Sequence, residues 1–260
     1  MHTSLTSLLG LLALSGGLIL GGCNSTNDGS GGTTTTQSAT GVWTGTDSVS
    51  GDTVIALINS GGLATFIRGD GLQFTGPVQV SGGNFVAAVA GYTDFNSTFT
   101  DGSTYGIGTL NGTVTTGQSI TASLSFTSNG GTAVTGTWSL SFQALSTNSS
   151  SDSTISGNYT DVVTGAVLSI NTAGAMTSQN AQNGCVLSGS ISTSDASHDL
   201  YEVSYHFESC TGTSTGLNSV QFTGLATLNT NSAPAQITMA VVGISAAGNQ
   251  YGIVSTLNAS

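Results

Sequence analysis

Cysteine and histidine are scarce enough in this 260-residue chain to be taken one at a time. The cysteines are Cys23, Cys185 and Cys210. A thiol can carry a thioether, bind a soft metal or pair as a disulfide, according to its compartment. His198 and His206 stand near Asp195, Asp199, Glu202 and Glu208, a donor set that a divalent metal ion accepts. Their spacing follows no metal-binding signature, and a solvated hairpin end accounts for the same residues, so no metal and no cofactor are assigned. A serine hydrolase needs a base beside its nucleophile. Past the first residues those two histidines are the only imidazole bases, and no Gly-x-Ser-x-Gly stands between a strand and a helix. Paired carboxylates for glycoside hydrolysis stay open. No catalytic residue is assigned, and the expectation is a protein that is not an enzyme.

Cys23 stands at a change of texture. Residues 4–20 form an apolar run broken by Gly and Ser, shorter than a comfortable membrane span of ~20 apolar residues. Leu20-Gly21-Gly22-Cys23 closes it. A leucine, two small residues and a cysteine resemble the lipobox of bacterial lipoprotein signals, although Met1 and His2 replace the usual basic start. The resemblance implies a signal peptide over 1–22, cleavage before Cys23 and lipidation of its sulfur. An acyl chain contributes ~0.8 kcal/mol per buried CH₂, so two or three chains anchor firmly. By likeness to enterobacterial sorting, Asn24 implies the outer membrane of a bacterial cell envelope, facing the periplasm or the surface. Residues 23–40 then supply the lipidated cysteine and a tether. They are rich in Ser, Thr, Asn and Gly, hold no large apolar residue past Cys23 and are expected to be disordered.

Composition narrows the partners. Charged residues make up 5% of the chain, and one Lys or Arg against twelve acids leaves a net charge of −11. Nothing here neutralises phosphates, which speaks against nucleic acid. An anionic membrane face would repel the body, so the expected bilayer contact is the acyl anchor on Cys23. Beyond that, the candidates are an envelope protein or a small apolar ligand.

The body alternates. Ser119-Ile120-Thr121-Ala122-Ser123-Leu124-Ser125-Phe126 places every apolar residue on one face, and 137–142 and 201–207 do likewise; Val220, Phe222, Gly224, Ala226 and Leu228 continue the pattern, as do Tyr251, Ile253, Ser255 and Leu257. Period two predicts half-buried antiparallel strands, and the Gly-rich turns between them predict hairpins. No convincing helical period occurs past residue 40. The order of motifs also repeats. Gly41-Val42-Trp43-Thr44 matches Gly157-Asn158-Tyr159-Thr160; Ile58–Thr65 matches Ile170–Thr177; Phe74-Thr75-Gly76 matches Leu187-Ser188-Gly189; Ser119–Ala122 matches Gln236–Met239. The period is near 112 residues. The reading is all-β: two antiparallel eight-stranded up-and-down β-barrels in tandem over 41–145 and 155–260, joined by a linker at 146–154, with two β-sandwiches as the alternative.

The opening Gly-x-Trp, followed by a meander, is similar to the lipocalin and avidin type of barrel. The general look is that of bacterial lipoproteins with paired small β domains. The first resemblance implies that Trp43 plugs one barrel end, with Tyr159 as its counterpart. Cys185 shares a strand face with Leu187 and Ile191, while Cys210 follows strand 201–207, so a hairpin return predicts a disulfide. Arg68-Gly69-Asp70 spells an adhesion tripeptide of integrin ligands, but Gly-Asp-Gly also makes a hairpin turn at the end of a strand. The expected function is a membrane-anchored, non-catalytic binding or structural module. The alternative is a carrier of a small apolar ligand inside one barrel. A cavity lined by Trp43 or Trp138 would mark the carrier, and a packed interior the module.

Overall fold

Strand pairing closes the body twice. The structure, a computed structural model, describes residues 36–95, 97–180, 182–245 and 248–260. Cys23, the run before it and the tether to residue 35 lie outside the described residues. The first half comprises β1 (Gly41–Asp47), β2 (Thr53–Ile58), β3 (Leu63–Arg68), β4 (Gln73–Ser81), β5 (Asn84–Tyr92), β6 (Tyr105–Thr115), β7 (Ser119–Ser128) and β8 (Ala133–Phe142). The second comprises β9 (Gly157–Asp161), β10 (Val167–Ile170), β11 (Ala175–Gln179), β12 (Val186–Asp195), β13 (Leu200–Glu208), β14 (Gln221–Asn229), β15 (Gln236–Ile244) and β16 (Gln250–Ala259). Each strand pairs antiparallel with its chain neighbours. β8 returns to β1 with Phe142 opposite Trp43, and β16 returns to β9 with Ala259 opposite Tyr159. Both halves are closed eight-stranded barrels, not sandwiches, and closure removes the sheet edges that would otherwise template aggregation.

Alternation does the sorting. Along β7, Ile120, Ala122, Leu124 and Phe126 point inward, while Ser119, Thr121, Ser123 and Ser125 face water. A large apolar side chain buried this way contributes about 1.5–3 kcal/mol, and a one-residue slip would turn the whole set outward. Alternation fails where a strand is covered on both sides. On β14, Leu225 is buried although it points out of the barrel, because it meets Val42, Leu57 and Leu200 in a cluster shared by the two halves.

The sequence repeat is a structural repeat. Asn59 follows β2 and Asn171 follows β10. Each side-chain oxygen accepts the backbone N–H of the residue four positions on, Leu63 and Ala175, at 2.9 Å. Gly62 and Gly174 hold the left-handed backbone of these turns, with φ +81° and +75°, where any other L-residue is strained. Their carbonyls then accept Val78 N–H and Ile191 N–H from the next strand.

The barrel ends repeat as well. The Trp43 indole donates to Ala39 O at 2.8 Å, and the Tyr159 hydroxyl donates to Ile155 O at 2.9 Å. Each aromatic thus binds the carbonyl four residues before it and pins the incoming chain across the barrel end. For this reason the tether stops short of its expected limit at residue 40. Gln37 accepts from Thr116, and Ala39 is buried in the first core. The segment between barrels is also more structured than a plain linker. It holds a 3₁₀ turn at Ala144–Thr147 and one helical turn, α1 (Asp152–Ile155), capped by Ser151. Ile155 is buried in the second core.

The barrels pack side by side. Asn59 Nδ2 donates to Ser194 Oγ and Glu202 Oε1, and Gln73 Nε2 donates to Val241 O at 3.1 Å. The segment after β5 adds a short parallel bridge to β16: Phe95 N–H donates to Gly252 O, and Gly252 N–H to Thr93 O. A Cβ at Gly252 would lie 1.9 Å from Gln73 Nε2 and would displace the Gln73 amide from Val241 O.

Candidate ligand-binding site

Two barrels of one topology are filled differently. The first is packed with aromatic rings. Trp138 meets Phe66 and Phe74 at centroid distances of 5.4 and 5.8 Å, Phe74 meets Phe126 at 5.4 Å, and Phe99 covers Phe126. Trp43 and Trp138 are fully buried. Neither tryptophan lines the cavity described below, because neighbouring rings occupy that space, and this packed interior is the outcome that marks the module for the first barrel.

Strand register shows what the second barrel has instead. Phe66 lies opposite Phe74 as Ser178 lies opposite Leu187. Phe126 lies opposite Val134 as Gly243 lies opposite Tyr251, and Trp138 opposite Ala122 as Ser255 opposite Met239. At Gly243 the ring is moved rather than lost, since Phe222 stands opposite it where Gly108 stands opposite Phe126; at Ser178 and Ser255 the rings of Phe66 and Trp138 give way to small side chains. Removal of core volume leaves space wherever the backbone cannot collapse onto it, and a closed barrel resists collapse. A cavity of about 400 Å³ results, with Ser178 and Ser255 in its wall.

The cavity is apolar inside and polar at the mouth. Leu168, Leu187, Met239 and Leu257 line it from the strands. Asp161 and Thr164 from the turn after β9, Asn180 and Asn183 from the turn after β11, and Ser214 from the connection after β13 supply polar groups. Such a mixture suits a small molecule held by apolar surface and oriented by a few polar contacts. Tyr205 also lines it, stacked on Phe222 at 5.5 Å and edge-on to Phe207. Burial, then the charges of Asp161 and Asp94, push its hydroxyl above the ordinary tyrosine range, so it stays protonated. Asp94 and Phe95 come from the first barrel, carried to the mouth by the bridge to Gly252.

The Cys185–Cys210 disulfide is present and belongs to this mouth. Cys185 lines the cavity, and the bond ties the turn after β11 to the connection after β13. Polar contacts reinforce the tie. Thr211 N–H donates to Asn183 O, Asn183 Nδ2 donates to Ser214 Oγ, and Asn218 bonds both backbone groups of Cys210.

The other residues singled out by sequence do not converge. His198 sits in the turn between β12 and β13 with Asp195 at 3.1 Å, whereas His206 sits toward the other end of β13 with Glu208 at 3.2 Å. Glu202 is engaged with Asn59 and Ser194. Asp199 is buried, and burial raises its pKa to about 7 despite the Leu228 amide and the Tyr201 hydroxyl. Among the described residues no three His, Cys, Asp or Glu side chains are grouped to hold a metal ion. Arg68 ends β3, and Gly69-Asp70-Gly71 makes the following turn. Its guanidinium is 8% exposed and bound to Asp70, with Asp52 and Asp47 alongside at 3.7 and 3.6 Å. It is held against the barrel rather than offered to a partner. The Asp70 hydrogen bond raises the pKa of Arg68 against the opposing effect of burial.

No protein-family model matches the chain, and no curated protein matches it in sequence.

Proposed function

We propose that this protein is a non-catalytic binding module of the bacterial cell envelope, anchored through lipidated Cys23, that takes a small, mainly apolar molecule into the mouth of its second barrel. The observation that carries the binding role is the asymmetry of the cores. One barrel is filled by rings, while its repeat carries Ser178 and Ser255 at two of the matched positions and has an open-mouthed cavity of about 400 Å³ beside them. A purely structural repeat has no reason to keep such a space, since filling cavities stabilises a fold. The opening Trp43 and the meander support the likeness to ligand-carrying barrels of the lipocalin and avidin type, and the packed first barrel then serves as scaffold. The lipobox resemblance supports the anchor. β7 turns serine and threonine outward, the reverse of a lipid-facing strand in a membrane-spanning barrel.

The test uses a neutral apolar fluorophore, N-phenyl-1-naphthylamine, with the full chain carrying Cys23→Ala. Its emission rises on entering the cavity, and Ser178→Phe, which restores the ring of the first barrel, lowers its affinity by about tenfold or more. Equal binding by the Ser178→Phe protein sinks the ligand reading. In cells, Cys23→Ala abolishes palmitate labelling and frees the protein from the membrane fraction; undiminished labelling sinks the anchor.

A further inference from the structure

We propose that the preferred ligand is an amphiphilic organic cation, its apolar part among the leucines and its ammonium head between Asp94 and Asp161. The proposal rests on the binding role above and adds the chemistry of the head group.

The mouth has two carboxylates and no cation to answer them. Asp161 and Asp94 both line it. The chain holds no second basic residue beside Arg68, and Arg68 is committed to Asp47, Asp52 and Asp70 on the first barrel. Asp161 accepts Val163 N–H, Thr164 N–H and the Thr164 hydroxyl, all on Oδ1. Its Oδ2 has no partner among the described residues. Asp94 is held at the rim by two backbone hydrogen bonds on either side of it, Gly252 to Thr93 and Phe95 to Gly252. Asp94 is exposed at this rim, and partial desolvation there raises its carboxyl above the ordinary range, although the Phe95 amide opposes this.

An independent feature points the same way. Tyr205 is 1% exposed and lines the cavity, yet its hydroxyl has no hydrogen-bond partner among the described residues. The hydroxyl is reached from the cavity and is open to a donor carried by a ligand. Three head groups can be compared. An anion meets two like charges. A neutral molecule shuts the carboxylates away from water with nothing to balance them. An ammonium group donates to Asp161 and Asp94 and leaves a further N–H for the tyrosine oxygen. The cavity lies at the small end of ligand pockets, which run from about 300 to 1,000 Å³. A short alkyl or aryl amine fits it. The first barrel then has a role besides scaffold, since it supplies one of the two carboxylates.

The test compares octylammonium, octanol and octanoate below their micellar concentrations, by calorimetry on the full chain carrying Cys23→Ala. The expected order is octylammonium, then octanol, then octanoate, with about tenfold or more between the first two at low salt. Asp94→Asn narrows that gap by about tenfold, and added salt narrows it too. Tyr205→Phe weakens octylammonium by about fivefold. Octanol binding as tightly as octylammonium overturns the proposal, as does an Asp94→Asn protein that keeps the full gap. If none of the three binds while the naphthylamine still does, the cation is refuted and the apolar binding role stands. If the naphthylamine fails as well, the binding role falls first.

Discussion

Asp199 should make the protein more stable in mild acid than at neutral pH. It is 2% exposed, no cation faces it among the described residues, and burial lifts its pKa from 3.8 to about 7. The folded state therefore holds this proton more tightly than the unfolded chain does. The stability linked to it is complete below pH 4, where both states are protonated. It is lost as pH rises toward 7, where only the folded state still binds the proton. Above pH 7 both states are ionised and the dependence ends. At about 1.4 kcal/mol per pH unit, the span from 3.8 to about 7 corresponds to about 4 kcal/mol.

Asp199→Asn removes the ionisation and keeps the shape. It should leave stability at pH 4 within about 1 kcal/mol of the native chain and raise it at pH 8 by up to about 4 kcal/mol. For a body of this size that is roughly 10 °C in melting temperature. Urea unfolding of both proteins at half-unit steps from pH 4 to 8 reads the difference directly. Carboxylates whose pKa is lowered, Asp47, Asp70 and Asp195, contribute stability that is lost below pH 4, outside this window. Asp94 is raised in both proteins and cancels. A difference between the two proteins that stays constant from pH 4 to 8 would falsify the account, because an ionisation confined to the unfolded chain below pH 7 cannot produce it.

Two further outcomes follow from the geometry. The disulfide closes a separation of 25 residues, which in the chain-entropy model is worth about 3–4 kcal/mol. The Cys185→Ser, Cys210→Ser protein should melt lower and also bind the naphthylamine less tightly, because the bond frames the cavity mouth; a drop in melting temperature with unchanged affinity separates the mouth from the disulfide. A fragment of residues 36–148 should be more stable to urea than one of residues 41–145, because Ala39 O satisfies the Trp43 indole, a buried hydrogen bond of about 1 kcal/mol. Equal midpoints show that the entering strand does not need its plug.

Alternation made the barrels legible because every inward residue of a closed sheet repeats at period two, and β7 obeys it without exception. The disulfide was legible for a similar reason: Cys185 and Cys210 extend two strands that pair as a hairpin. The closed ends were harder. Ala39 and Ile155 carry no sequence signal, since it is their backbone carbonyls that bind Trp43 and Tyr159. One wall of the cavity is legible in the repeat. The repeat that matches Ile58–Thr65 to Ile170–Thr177 sets Phe66 beside Ser178 one residue further on. In a duplicated fold the differences between the halves, more than their likeness, mark where the two cores diverge. A core position can pass from phenylalanine to serine only if the lost packing is tolerated or something else occupies the space. Asp94 could not be read this way at all. It lies in the first barrel's sequence and joins the second barrel's mouth only through the backbone bridge to Gly252, a contact made by amide groups that every residue shares.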